Sequence, residues 1–352
     1  MKTSHILRTD GGSKLGFGHI SRCMILAKAI KARGGMPEIV LGYADTHAAE
    51  RIQREGINCR KLEYANTFDA KHVMGGCRTG IFDFSHMQTR EQVEAAHQMF
   101  ASLRSKNART LLIDAKGRDC LSSIKSMQAN ILTIPYAGAD TQHVLPGADE
   151  DLRGLQYCVL DTSLPEPFHL ASVVPEVASR LLVTAGGSDP KGLTLFFLNV
   201  LDQIKLPLKA RIVIGPGFTH ELTQLIEART HSLRHDVTII RNPPTLIHEM
   251  LSTHFALSAS GLTKYELAYT GTPSLLVSID RNHAVANVPF AALETGHDVG
   301  ELATVTTRHV AQSLKSLLVD KGRRQAFSIA GRRAVDGLGT QRLLELLDDE
   351  TT

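Results

Sequence analysis

Short apolar runs alternate along the chain with stretches whose apolar residues recur every three or four positions. "HILRTD" precedes a helical segment from about Ile20 to Ala32, "PEIVLGY" precedes "THAAERIQREG", and "TGIFDF" precedes "TREQVEAAHQMFASLRSK". "ARTLLID" leads into "LSSIKSMQ", and "ANILTIPYAG" follows. The rhythm breaks between about Leu145 and Ser179, a stretch rich in proline and acidic residues, and then restarts. "RLLVTAGGSDP" leads into "GLTLFFLNVLDQI", "KARIVIGPG" into "FTHELTQLIEART", and "DVTIIRNPP" into "TLIHEMLST". "HFALSASG" leads into "LTKYELAYTG" and "PSLLVSI" into "NHAVANVPFAALETG"; helices fill the tail. Strand–helix alternation of this kind predicts βαβ units and parallel sheets.

The two halves share a plan, since each opens on a strand ending in a glycine-rich turn. The predicted architecture is α/β, with two Rossmann-like, doubly wound domains facing each other across a cleft. Residues 1–150 form the first domain, 151–178 the connection, and 179–352 the second domain with its helical tail. A length of 352 residues suits two domains. Ligands bind at the carboxyl ends of strands in such sheets, so the informative residues are expected in the turns.

Composition narrows the function. The net charge is +3 with no long basic block, aromatics are 5% and tryptophan is absent. Neither an electrostatic footprint for nucleic acid nor a stacking platform is present. Five cysteines at irregular spacing, with no C-x-x-C, read as reduced thiols. No apolar run reaches membrane-spanning length, and the N-terminus lacks a signal-peptide core, so a soluble cytoplasmic protein is expected. "HEMLSTH" misses the H-E-x-x-H spacing, no other zinc spacing occurs, and no G-x-S-x-G is present. No metal and no cofactor are therefore expected. The basic "KGRRQAFSIAGRRAV" reads as a solvated helix face.

Three turns carry candidate chemistry. In "LGFGHISRCMILAKAI", His19 stands at the first turn of a helix behind glycines, and Arg22 shares its face. A helix N-terminus disfavours imidazolium, and a neutral ring is what a general base needs; the alternative is a simple helix-end histidine. In "AGGSDPKGLT", Gly186 and Gly187 precede a helix whose free N–H groups suit a phosphate, or else Ser188 or Asp189 caps that helix. In "SASGLTKYELAYTG", Ser260, Gly261 and Thr263 offer hydroxyls and N–H groups to a phosphate, and Glu266 suits a ribose or merely the helix dipole.

Together with "RNHAVANVPFAALETG", these segments resemble the SpsG/PseG family. Its members are nucleotide-sugar hydrolases of the pseudaminic acid pathway and relatives in polysaccharide synthesis, with the glycosyltransferase-B fold of the MurG transferase. The resemblance spans residue 8 to about 300. It implies that His19 activates a water at the anomeric carbon, with Asp83 in the catalytic set. It implies that Gly186, Gly187, Ser188, Ser260, Gly261 and Thr263 hold the diphosphate, and Glu266 the ribose. Gly18, Arg22, Asn282 and His283 would face the sugar, His283 standing where the family usually has glutamine. Backbone amides at Gly187 and Gly261 would take up charge on the leaving phosphate. Two departures stand out: Ser85 where the family carries tyrosine, with His86 as a substitute, and Asp161 where it carries arginine. The expected reaction is hydrolysis at C1 of a nucleoside diphosphate sugar, UDP-linked and of the amino or deoxy type. The alternatives are a glycosyltransferase with peripheral membrane contact, and a nucleotide-sugar-binding protein without catalysis. The oligomeric state stays open.

Overall fold

The computed structural model describes residues 4–12, 16–64, 67–84, 89–113, 128–139, 148–161 and 174–348. The chain divides into two compact units, Met1–Thr162 with Gly337–Thr352, and Ser163–Asp336.

In the first unit the elements run β1 (Ser4–Gly11), α1 (Gly18–Ala32), β2 (Met36–Ala44), α2 (Thr46–Arg54), β3 (Asn58–Lys61), α3 (Ala70–Met74), β4 (Thr79–Asp83), α4 (Arg90–Ser105), β5 (Arg109–Ile113), β6 (Ala129–Ile134) and β7 (Ala148–Arg153). The strands form one sheet in the order β3-β2-β1-β4-β5-β6-β7, and the pairings are parallel. Parallel neighbours need crossover connections, and both faces are then covered. Accordingly β1 is buried along all but its first residue. One face packs Leu7, Ile39 and Ile81 against Ile20, Leu26 and Ile30 of α1. The other packs Val40, Phe82 and Leu112 against Val93, Phe100 and Leu103 of α4.

In the second unit, β8 (Arg180–Thr184), α5 (Leu193–Leu201), β9 (Lys209–Ile214), α6 (His220–Thr230), β10 (Asp236–Arg241), α7 (Ile247–Leu251), β11 (Phe255–Ala259), α8 (Thr263–Thr270), β12 (Ser274–Ser278), α9 (Arg281–Ala291), β13 (His297–Glu301), α10 (Thr307–Val319) and α11 (Lys321–Ala334) follow in order. The sheet order is β10-β9-β8-β11-β12-β13, again parallel. Both sheets reverse their winding beside their first strand, between β1 and β4 and between β8 and β11. Those two points are where ligands are received in doubly wound sheets.

The structure differs from the sequence reading at three places. Residues 148–153, read as the edge of an irregular connection, form the seventh strand of the first sheet. Its sequence, ADEDLR, is charged because an edge strand faces water on one side. The tail was read as part of the second domain, yet α12 (Gly339–Asp348) belongs to the first unit. Leu343, Leu344 and Leu347 join the core beneath α1. Thr340 bonds both ways with Leu160, and Gly339 lies so close to the backbone of Cys158 that no side chain fits. Finally, β13 follows "NHAVANVPFAALETG", where no strand was expected.

Candidate functional site

At the first switch point, β1 ends in a run of glycines and α1 begins at Gly18, which places His19 in the first turn. Asp83 is the last residue of β4 and pairs in register with Thr9 of β1. The sheet therefore delivers a carboxylate to the mouth of α1 from 64 residues away. His19 Nδ1 lies 2.6 Å from Asp83 Oδ1. Arg22, one turn along α1, grips the same carboxylate with two donors, Nε to Oδ2 at 2.7 Å and Nη2 to Oδ1 at 2.8 Å. Its Nη1 donates to the hydroxyl of Tyr136, just beyond β6. Asp83 is wholly buried, and the side chains of Arg22 and His19 are 4% and 16% exposed.

Burial alone would raise the Asp83 pKa, but Arg22 and His19 outweigh it and hold the carboxyl at about 2. An ionised carboxylate only accepts, so the ring nitrogen facing it carries the proton. In the neutral ring Nε2, turned away from Asp83, then keeps its lone pair. Among the described residues Nε2 has no hydrogen-bond partner. This is a histidine oriented by an acid, as a general base requires. Burial lowers the Arg22 pKa, but the charge and hydrogen bonds of Asp83 outweigh it, so the guanidinium is held more firmly charged than usual. Arg22, expected to face a sugar, is instead committed to Asp83 and Tyr136. Tyr136 was missed by the sequence reading, because nothing local in "TIPYAG" links it to an arginine 114 residues earlier.

Beside this group, Arg8 and Asp10 of β1 form a buried ion pair at 2.6 Å, and Asp10 also accepts from the backbone N–H of Tyr43. The Arg8 guanidinium fills the place a side chain would take at Gly42.

At the second switch point, the two glycine turns differ. Gly186 has φ 82°, which favours glycine, and Gly187 accepts at 2.8 Å from Gly217. A side chain at Gly215 would come within 2.6 Å of the Gly187 carbonyl, so these two loops pack backbone to backbone. Ser188 and Asp189 are buried. The Asp189 carboxylate accepts from Leu193 N at 2.6 Å and Thr194 N at 2.8 Å. The N–H groups of α5 that the sequence offered to a phosphate are therefore already taken by a carboxylate.

α8 receives no capping bond from the side chain of the residue before it, Leu262. Its approach is Ser260-Gly261-Leu262, with the Ser260 hydroxyl 2.7 Å from that of Ser278 at the end of β12. Gly261 has an ordinary φ, and a methyl group placed there would meet nothing within 4 Å. The fold itself thus makes no demand for glycine at this position. Thr263 opens α8, and Glu266 stands one turn on, partly exposed. Lys264 is buried, its ammonium 3.0 Å from Asn287 Oδ1. At the start of α9, Asn282 is exposed, and the Asp280 carboxylate caps the helix by accepting from His283 N while lying 2.8 Å from His283 Nδ1.

Ser85 and His86 lie outside the described residues. Asp161 follows the segment Cys158–Leu160, which is fastened to α12 through Thr340. Among the described residues no cluster of His, Cys, Asp or Glu could hold a metal ion, and no helix is long and apolar enough to cross a membrane.

No family model matches the chain. The spore coat polysaccharide biosynthesis protein SpsG of Bacillus subtilis is 23% identical over 368 residues, covering 97% of this chain and 96% of that protein. Among solved structures, MurG of Acinetobacter baumannii superposes with a TM-score of 0.67 at 13% identity, over 98% of this chain and 99% of its own. HepE of Anabaena in complex with UDP-glucose gives 0.58 at 12% identity, over 97% and 99%. With the two parallel sheets, these likenesses establish a two-domain, Rossmann-like fold of the glycosyltransferase-B type.

Proposed function

We propose that this chain is an enzyme that hydrolyses a nucleoside diphosphate sugar at C1. The observation that carries the reading is the His19–Asp83 pair at the first switch point, with Nδ1 2.6 Å from Oδ1 and no partner for Nε2 among the described residues. Nε2 takes a proton from water as the water oxygen bonds to C1. The bond from C1 to the diphosphate oxygen breaks, and the nucleotide leaves with the electron pair. Asp83 stabilises the imidazolium that forms. The start of α8, with Gly261 and the hydroxyls of Ser260 and Thr263, receives the negative charge of the diphosphate. In this assignment His19 is the base, the turn before α8 holds the diphosphate, Glu266 the ribose, and Asn282 and His283 the sugar. Gly186, Gly187 and Ser188 contribute through the loop and not through α5. The SpsG likeness supports a place in surface polysaccharide synthesis, and the UDP-glucose complex of HepE supports a UDP-linked donor.

A second reading, transfer of the sugar to a hydroxyl acceptor with the same base, is supported by the likeness to MurG and to a glycosyltransferase of Rickettsia africae. Incubation with UDP-, CMP- and GDP-sugars separates the two. Nucleotide release without an acceptor supports hydrolysis, and release only with one supports transfer. Binding without turnover to any member of the panel would refute both. His19→Gln is expected to lower turnover by about 10²–10⁴ while nucleotide affinity stays within a few-fold. A variant retaining near-normal kcat would remove His19 from the chemistry.

A further inference from the structure

Arg22 is placed to act on His19, not on a ligand. Its guanidinium is spent: Nε and Nη2 bind both oxygens of Asp83, and Nη1 donates to Tyr136. Freeing it would break a buried, two-donor ion pair, which is strongly unfavourable. The same Nη2 stands 2.9 Å from His19 Nδ1. The imidazole thus meets a carboxylate that draws a second proton onto the ring and a guanidinium that resists it.

The other groups around this carboxylate leave the balance to that pair. Cys23, on α1, is buried beside Asp83, and its thiol is pushed far up and stays neutral. Arg8 and Asp10, on β1, pair with each other. Tyr136, beyond β6, accepts from Arg22 and holds that side chain from its far end.

We propose that Arg22 is a positioning residue: anchored by Tyr136, it neutralises the charge of Asp83 so that the carboxylate fixes the His19 tautomer without charging the ring. Without Arg22 the full charge of Asp83, 2.6 Å from the ring, would favour the imidazolium and leave less of the base form. Arg22 lets the acid orient the ring while the ring stays neutral. The inference rests on the reading of His19 as a base, but its test needs no substrate.

The test is an NMR titration of the His19 ring in the full-length protein, its signals assigned by their loss in His19→Gln. In the wild type, the ¹⁵N shifts of the neutral ring are expected to show the proton on Nδ1. In Arg22→Gln the Asp83 charge faces the ring alone, and the His19 midpoint is expected to rise by about one pH unit or more. A folded Arg22→Gln variant with an unmoved or lowered midpoint would overturn the proposal, as would a wild-type ring protonated on Nε2. Should circular dichroism show Arg22→Gln unfolded, Arg22→Lys decides the matter. A single ammonium keeps the positive charge beside Asp83, so the midpoint is expected to stay near the wild-type value; a rise of about one unit or more would show that charge neutralisation is not what Arg22 supplies and would overturn the proposal. With a nucleotide sugar that turns over, the acid limb of kcat/KM is expected to move up with the ring midpoint while KM changes little. Failure to find such a substrate would count against the proposed function and leave the titration result standing.

Discussion

Two glycines at the ends of strands make opposite demands. Gly215 has the Gly187 carbonyl 2.6 Å from where its Cβ would lie, so Gly215→Ala must push two loops apart. Gly261 has open space before it and an ordinary backbone. Gly261→Ala is therefore expected to leave thermal stability unchanged or slightly raised, because alanine restricts the unfolded chain more than glycine does. If a diphosphate sits against the start of α8, the added methyl should weaken UDP binding by roughly tenfold or more, about 1.4 kcal/mol. Calorimetry against UDP together with thermal melts of both variants checks this. Equal UDP affinity in wild type and Gly261→Ala would remove the phosphate from this turn. Gly215→Ala is expected to lower the melting temperature, the strain of close packing having no outlet.

At the scale of elements, the start of the second sheet hangs on one imidazole. His254, just before β11, accepts from the backbone N–H groups of Ser179 and Arg180 at the entrance to β8, at 3.1 and 3.3 Å. Accepting requires a neutral ring. Burial, then Arg180 and Arg324, lower its pKa to about 4. The unfolded chain binds this proton at its ordinary value near 6.5, so it holds more protons than the folded chain between the two values. The contribution is thus fully present above about pH 6.5 and is lost as pH falls towards 4. In His254→Asn, whose side chain stays neutral, the drop in melting temperature between pH 7 and pH 5 is expected to shrink. An unchanged drop would show that this histidine is not coupled to folding.

At the scale of the whole molecule, the last helix completes the first unit although it follows the second in sequence. Leu343 is fully buried in the core that holds Leu7, Ile20 and Leu26. Around it, Arg109 donates to the Leu346 carbonyl at 2.7 Å and Arg342 to that of Gln156 at 2.8 Å. Leu343→Ala is expected to cost roughly 2–5 kcal/mol, the usual range for a buried leucine. The loss should fall on the first unit. Hydrogen exchange is expected to speed up in β1 and α1 and stay unchanged in α5 and β11. Faster exchange across the second unit instead would mean that α12 serves a different core.

The alternation of apolar runs and helical stretches was enough to read two doubly wound sheets, because a parallel strand must be apolar on both faces and must be followed by a crossover. The turn glycines and the place of His19 were equally legible, since backbone conformation and helix starts are local. Asp83 was named as a candidate on resemblance, but its contact with His19 rests on β1 and β4 being neighbours in the sheet. Strand order is a long-range choice that local periodicity does not carry. The same holds for Tyr136, whose role exists only because β6 ends near Arg22. It holds for α12, whose leucines are as amphipathic as those of any surface helix and do not say which sheet they cover. In the turn after β8, the sequence left phosphate and cap as rival readings. The structure gives the cap on α5, a local one, since Asp189 reaches N–H groups only four and five residues on. What composition and periodicity determined was the kind of sheet and where its turns lie. Which turns share a site, and which groups there are already spent, was decided by packing alone.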